Sequence, residues 1–171
     1  YGNESLLVKA VNSGEVSAAS GLSLSAADNI KSKQYSTKHW LLNKGVYLLM
    51  NNRSQTLQDA RARQALRYAT DTSSIRATVG DNVARLDTPI LQSQIAQKLP
   101  AAPDYNLDKA KALLKEAGWT YNQGQWKGKD GRPLAVAVTT SSGRDEYKKI
   151  VDALKQQWSK LGVDVQLREI D

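Results

Sequence analysis

Few side chains in this sequence can carry out covalent chemistry. There is one histidine, His39, and no cysteine, so neither a histidine-rich zinc site nor a thiolate nucleophile is available within the chain. His39 adjoins Trp40 in a stretch of strand character, where packing or surface exposure explains it better than base catalysis. Asp145, Glu146 and Asp152 gather near one helix start, where negative charge complements the helix dipole. Nothing in their spacing separates a general acid from a general base. The run Gly124-Gln-Trp-Lys-Gly128-Lys129-Asp130 has a superficial likeness to a phosphate-binding loop. Its glycines are one residue too close, and Asp130 stands where a magnesium-binding hydroxyl belongs; a surface hairpin is the better reading. No cofactor and no metal site are expected.

Two groups of residues could instead bind a partner. Lysine and arginine exceed aspartate and glutamate by 7, and Arg61, Arg63, Arg67, Arg76 and Arg85 invite a nucleic-acid reading. On a helix, however, these arginines spread around the polar side, with no interleaved aromatics to stack on bases. A basic nucleic-acid-binding module is therefore the alternative reading. The second group is Thr139-Thr140-Ser141-Ser142-Gly143-Arg144-Asp145. It leaves the end of a strand, enters a helix, and carries hydroxyls, backbone amides and one guanidinium. Open α/β sheets collect ligands at the carboxyl ends of their strands. The same composition also suits a loop that simply caps its helix.

The elements that position these groups follow from periodicity. Ala62, Ala65, Leu66 and Ala69 make one apolar stripe, with Asp59 at the helix start and Asp71-Thr72-Ser73-Ser74 capping a second helix that ends at Gly80. A stripe this rich in alanine lets a helix lie close against its neighbour. Earlier in the chain, a helix from Asn3 to Gly14, a buried strand at Val16–Ala19 and a brief helix from Ser25 through Ile30 are expected. Tyr35–Leu42 and Val46–Asn51 read as antiparallel strands joined by Asn43-Lys44-Gly45, the second so apolar that both faces should be covered. After an irregular passage from Asp81 to Tyr105, Leu107, Ala110, Leu113, Leu114 and Ala117 form another helical stripe. A hairpin arm over Trp119–Trp126, a turn at Lys129–Gly131, a strand over Leu134–Thr140, a helix bearing Ile150, Val151, Leu154, Trp158 and Leu161, and a strand at Val163–Leu167 complete the chain. Strand, helix and strand in that order make a βαβ unit. The expected core contains Ala65, Leu66, Ala69, Leu113, Leu114, Val136, Val138, Leu154 and Trp158.

At 171 residues with four tryptophans and seven tyrosines, the chain can bury a sizeable core as a single domain, residues 1–171. No apolar run approaches the roughly 20 residues of a membrane-spanning helix. The absence of cysteine fits an extracytoplasmic protein. A start at Tyr1 without an initiator methionine, and an end directly after a strand, lead us to expect one piece of a larger fold.

Three spaced motifs carry a resemblance. Asp59-Ala-Arg61-Ala-Arg63-Gln64-Ala65-Leu66-Arg67-Tyr68-Ala69-Thr70-Asp71, preceded by Tyr47-Leu-Leu-Met-Asn51, resembles a signature of family 5 extracellular solute-binding proteins. These are the peptide-, dipeptide- and nickel-binding receptors of ABC importers. Tyr105-Asn-Leu-Asp108-Lys-Ala110-Lys111-Ala-Leu-Leu114-Lys-Glu-Ala-Gly118-Trp119 and Lys160-Leu-Gly-Val-Asp-Val165 are similar to two further motifs of that family. Ser13-Gly14-Glu15-Val16 is similar to a fourth, with Ser17 where aspartate is usual.

The resemblance implies an α/β, three-layer lobe of the periplasmic-binding-protein-like class II (cluster C) fold, with a mixed sheet. It would be the C-terminal lobe of a clamshell whose N-terminal lobe is missing. It implies a non-enzymatic role, trapping a peptide or another small solute between lobes for an ABC importer permease. The setting would be periplasmic, or the cell surface as a lipoprotein. The loop Thr139, Thr140, Ser141, Ser142, Gly143 and Arg144, with Tyr147 one turn into the helix, matches the family's ligand-approaching loop. Tyr47 and Asn51 are further candidates. The family's acidic anchor for a peptide amine lies past Asp171, so this piece alone is expected to bind poorly.

Overall fold

The computed structural model describes residues 1–38, 45–80, 83–90, 94–142 and 144–170. The chain divides into two compact units, Tyr1–Lys44 and Gly45–Asp171. The α/β class expected from sequence is what the larger unit displays.

In the smaller unit, helix α1 (Glu4–Ser13) starts at Asn3, whose side chain accepts from the Leu6 amide, and stops at Gly14 with φ 75°. Its buried residues are Val8, Ala10 and Val11, while Leu6 is exposed. Polar clasps complete the unit. The Asn12 amide donates to the Asn29 carbonyl at 3.0 Å and its oxygen accepts from the Lys31 amide at 2.8 Å. The Glu4 carboxylate accepts from the Ser23 amide and hydroxyl at 3.0 and 2.6 Å.

Three local expectations need correction here. Helix α2 spans Leu24–Ala27 and is capped by Ser23 rather than Ser25, because the earlier hydroxyl reaches the Ala26 amide. Val16–Ala19 is an irregular, largely exposed segment; no strand among the described residues offers it a ladder. The described part of Tyr35–Leu42, residues 35–38, is not a strand either, and its remainder lies outside the described residues with His39 and Trp40.

In the larger unit, helix α3 (Ala60–Tyr68) is capped by Asp59 and α4 (Thr72–Val79) by Asp71. Helix α5 (Leu107–Glu116) is capped by Asn106. A hairpin follows, β1 (Thr120–Asn122) paired antiparallel with β2 (Gln125–Lys127). Its two loop residues, Gln123 and Gly124, have φ 47° and 83°, as a primed two-residue turn requires. This disposes of the phosphate-loop likeness. Strand β3 (Ala135–Ser141), helix α6 (Asp145–Leu161) and strand β4 (Asp164–Ile170) form the βαβ unit, with β3 and β4 parallel and Val136 opposite Val165.

The core gathers Ala62, Ala65, Leu66 and Ala69 of α3, Ala110 and Leu114 of α5, Val136 and Val138 of β3, Leu154, Trp158 and Leu161 of α6, and Val165 of β4. Of the expected core, Leu113 alone is half-buried, packed on the cluster's margin. Trp158 links the layers: its indole N–H donates to the Leu66 carbonyl at 3.2 Å and to Thr70 Oγ1 at 3.0 Å. Trp126 is buried against the end of α6, donating from Nε1 to the Leu161 carbonyl at 2.7 Å. Gly162 permits that contact. Its φ is 95°, and a Cβ there would stand 2.8 Å from the Gly124 carbonyl oxygen.

Val46–Asn51 is the main departure. It is not a strand, and Val46, Tyr47, Leu48 and Leu49 are exposed, Leu49 at 90%. Apolar composition shows what a segment would bury beside a partner strand, and none of β1–β4 pairs with this one. Met50 alone of this run packs on the core.

Leu114 is fully buried between α3 and α5, so Leu114→Ala should destabilise the chain by about 2–5 kcal/mol. Urea unfolding checks this; a loss under about half a kcal/mol would place α5 outside the packed core.

Candidate functional site

The cations come first, because their partners decide what they can do. Arg61 is held bidentately by Asp59, with Nε and Nη2 at 3.0 and 2.6 Å, and its Nη1 donates to the Glu116 carbonyl at the end of α5 at 2.6 Å. Arg63 donates to the Leu57 and Gln58 carbonyls at 2.7 and 2.8 Å. Arg76 donates to the Val83 carbonyl at 2.9 Å. Arg85 pairs with Asp87 at 2.6 Å and Asp104 at 3.2 Å, and donates to the Ala102 carbonyl at 2.9 Å, fastening the long irregular passage onto itself. Four guanidiniums of the five therefore close gaps at helix ends and in loops, and Arg67 adds a longer contact to the Thr70 carbonyl at 3.5 Å. They do not form a phosphate-reading row.

Asp59 is the pivot of this arrangement. Hydrogen bonds from the Arg61 side chain, then from the Arg61 amide, lower its pKa to about 2. The helix positions needed for both bonds explain the aspartate two residues before arginine in the motif.

The loop from β3 to α6 is built differently. Along β3, Val136 and Val138 point into the core while Ala137, Thr139 and Ser141 are exposed. The sheet thus shows an uncovered face at its carboxyl end. Thr140 is half-buried and Ser142 exposed, and the Ser142 amide donates to the Ile170 carbonyl at 2.8 Å. Gly143 lies outside the described residues. Arg144 occupies the position before α6 without a side-chain capping bond. Its guanidinium is exposed, 5.5 Å from the Tyr147 ring centroid and 3.6 Å from the Glu146 carboxylate. An exposed pair at that distance holds weakly, so Arg144 is open to a better carboxylate.

Thr139, Thr140, Ser141, Ser142, Arg144 and Tyr147 therefore lie along one edge, where β3 ends and α6 begins. Tyr47 and Asn51 belong to a different stretch of the chain. Both are exposed on the irregular 46–51 segment, and Asn51 Oδ1 accepts from the Arg53 amide at 3.0 Å. No hydrogen bond, ion pair or ring contact links either residue to the β3–α6 edge among the described residues.

Sequence reasoning missed Arg168 and Glu169. The parallel register sets Arg168 opposite Thr139 and Glu169 opposite Thr140, and both are exposed. Counting the register forward from the Val136–Val165 pair reaches them.

A helix-backed parallel pair with a polar, uncovered rim at its carboxyl end is an arrangement at which open α/β sheets receive ligands. The comparisons agree. Residues 1–171 match the model of the bacterial extracellular solute-binding proteins, family 5, middle part, and the chain belongs to that family. It is 30% identical over 138 residues to the oligopeptide-binding protein OppA of Lactococcus lactis subsp. lactis, covering 78% of this chain and 23% of that protein. The structure of the oligopeptide-binding protein AppA of Bacillus subtilis with a nonapeptide superposes with a TM-score of 0.59 at 26% identity, over 71% of this chain and 25% of that one. NikZ of Campylobacter jejuni with Ni(L-His) has a TM-score of 0.81 at 22% identity, over 99% of this chain and 34% of that one; this likeness is one of fold. The chain spans about a quarter of the length of the curated relatives it matches.

Two outcomes follow from the charge pattern. Asp59→Asn keeps a cap but removes the charge. Because the folded pKa is depressed, the stabilisation should be complete above the ordinary value of about 3.9 and be lost as pH falls through about 2. The stability gap between the two proteins should therefore close over that window, and a gap unchanged at the lowest pH would contradict it. With its arginines on carbonyls, the chain should show no submicromolar affinity for duplex DNA at physiological salt; tight binding with a steep salt slope would contradict that.

Proposed function

We propose that this chain is part of one lobe of an extracytoplasmic solute-binding protein, which captures a peptide or another small solute between two lobes for delivery to a membrane permease. The observation that carries the reading is the family match over residues 1–171. The exposed polar edge Thr139–Arg144 with Tyr147 supports it, since it lies where an open α/β sheet receives ligand. In this reading the chain acts by binding rather than catalysis, and the N-terminal lobe of the clamshell supplies the opposite wall of the site. Hinge closure around the solute then generates the form a permease would read.

Among the solutes, a peptide fits best. Arg144 and Arg168 are exposed guanidiniums at the rim, suited to a carboxylate, and the hydroxyls of Thr139 and Ser141 can meet backbone groups. Two relatives carry oligopeptide-binding names. Others were solved with Ni(L-His) or Fe(III)-EDTA, so the fold itself does not select one solute. Tyr47 and Asn51 remain candidates only if the 46–51 segment lies near this rim in the two-lobed protein. Nucleic-acid binding gains no support from the carbonyl-bound arginines.

The test is Arg144→Ala in a protein carrying this chain and its second lobe, titrated calorimetrically with oligopeptides. A charge-assisted bond contributes about 1.5–3 kcal/mol, so affinity should fall roughly ten- to hundredfold. Unchanged affinity would remove Arg144 from the site, and absence of any peptide binding by the unaltered protein would remove the peptide assignment.

A further inference from the structure

A recess lies at the other end of α6 from the β3–α6 edge. The β1–β2 hairpin docks on the helix's C-terminus, with the Trp126 indole bonded to the Leu161 carbonyl at 2.7 Å, whereas the Arg144 edge adjoins its N-terminus. Seventeen residues of helix at 1.5 Å each separate the two ends by about 25 Å. Here a trough of about 650 Å³ is lined by Lys111, Lys115, Trp119, Thr120, Tyr121 and Trp126, a size in the range of small-molecule sites.

Its charge is one-sided. Lys111 and Lys115 lie one turn apart on α5, and like charges at that spacing weaken a helix. Neither ammonium has a hydrogen bond or ion pair among the described residues, and no carboxylate lines the trough. Its aromatic wall is set in place. Trp126 is buried, the Tyr121 ring lies 5.0 Å from it at 56°, and Gly162 behind them leaves no room for a Cβ. Tyr121 nonetheless keeps half its surface exposed. The exposed Tyr121 ring and half-buried Trp119, with buried Trp126 as their backing, stand beside two unpartnered cations and suit a flat apolar body bearing a negative group. A neutral body would leave both ammoniums unmet, and two cations are too few to follow an extended polyanion.

We propose that this trough is a second binding site, selective for a small carboxylate carried on an aromatic body and independent of solute capture at the β3–α6 edge. The experiment is an NMR titration of the chain with 1-naphthoate and with its neutral isostere 1-naphthamide. Shifts should concentrate at Lys111, Lys115, Trp119 and Tyr121, and naphthoate should bind about tenfold or more tightly. The preference should collapse to within about twofold in K111Q/K115Q, whose circular dichroism should match the parent's, and should persist in R144A. Equal binding of the two probes, a preference that survives K111Q/K115Q, shifts centred elsewhere, or association with phosphatidylglycerol vesicles but not with naphthoate would each overturn the proposal.

Discussion

The close contact of α3 with α5 is the constraint on which the rest of the larger unit depends. Ala62, Ala65 and Ala69 on one side and Ala110 on the other are all at most 1% exposed, and side chains this small let two helices approach closely. Leu66 and Leu114 fill the remaining space. Trp158 then anchors α6 to the C-terminal end of α3, through the Leu66 carbonyl and Thr70 hydroxyl. Gln157 adds a second tie: its side-chain oxygen accepts from the Asp71 amide at 2.8 Å, and its amide donates to Ser74 Oγ at 2.8 Å. Strands β3 and β4 flank α6, so fixing α6 fixes where the strands end. The polar rim is therefore positioned by alanines far from it in sequence.

The arginines serve the same frame. A helix end leaves carbonyls without partners, and Arg61 meets one at the end of α5 while remaining locked to the cap of α3. One guanidinium thus fastens the start of α3 to the end of α5. This explains how the signature stretch can be rich in cations without presenting them to a ligand. Arg144 and Arg168 at one end and Lys111 and Lys115 at the other belong to no such clamp.

Elements whose information is local were legible in the sequence. Asp71 caps the helix it was expected to cap, Asn3 and Asp59 stand at the helix starts expected of them and cap there, and Gly14 and Gly162 end their helices in the left-handed region. The βαβ unit and its inward-facing valines follow from strand alternation and helical periodicity. Non-local facts were not legible. Val16–Ala19 and Val46–Asn51 have strand composition, but pairing depends on a neighbour that composition does not name. Ser23 is the cap because its hydroxyl accepts from the Ala26 amide, which starts the helix early enough to leave Ser25 inside it. Arg168 and Glu169 entered the rim only through the register with β3, and Gly143 lies outside the described residues.

The central claim divides the molecule into a structural signature and a binding rim. Hydrogen–deuterium exchange of a two-lobed protein carrying this chain, with and without a nonapeptide, addresses that division directly. The account predicts slowed exchange across residues 139–147 and 166–170 on peptide addition, with no change at residues 59–67. Protection centred on residues 59–67, with the 139–147 loop unaffected, would contradict it.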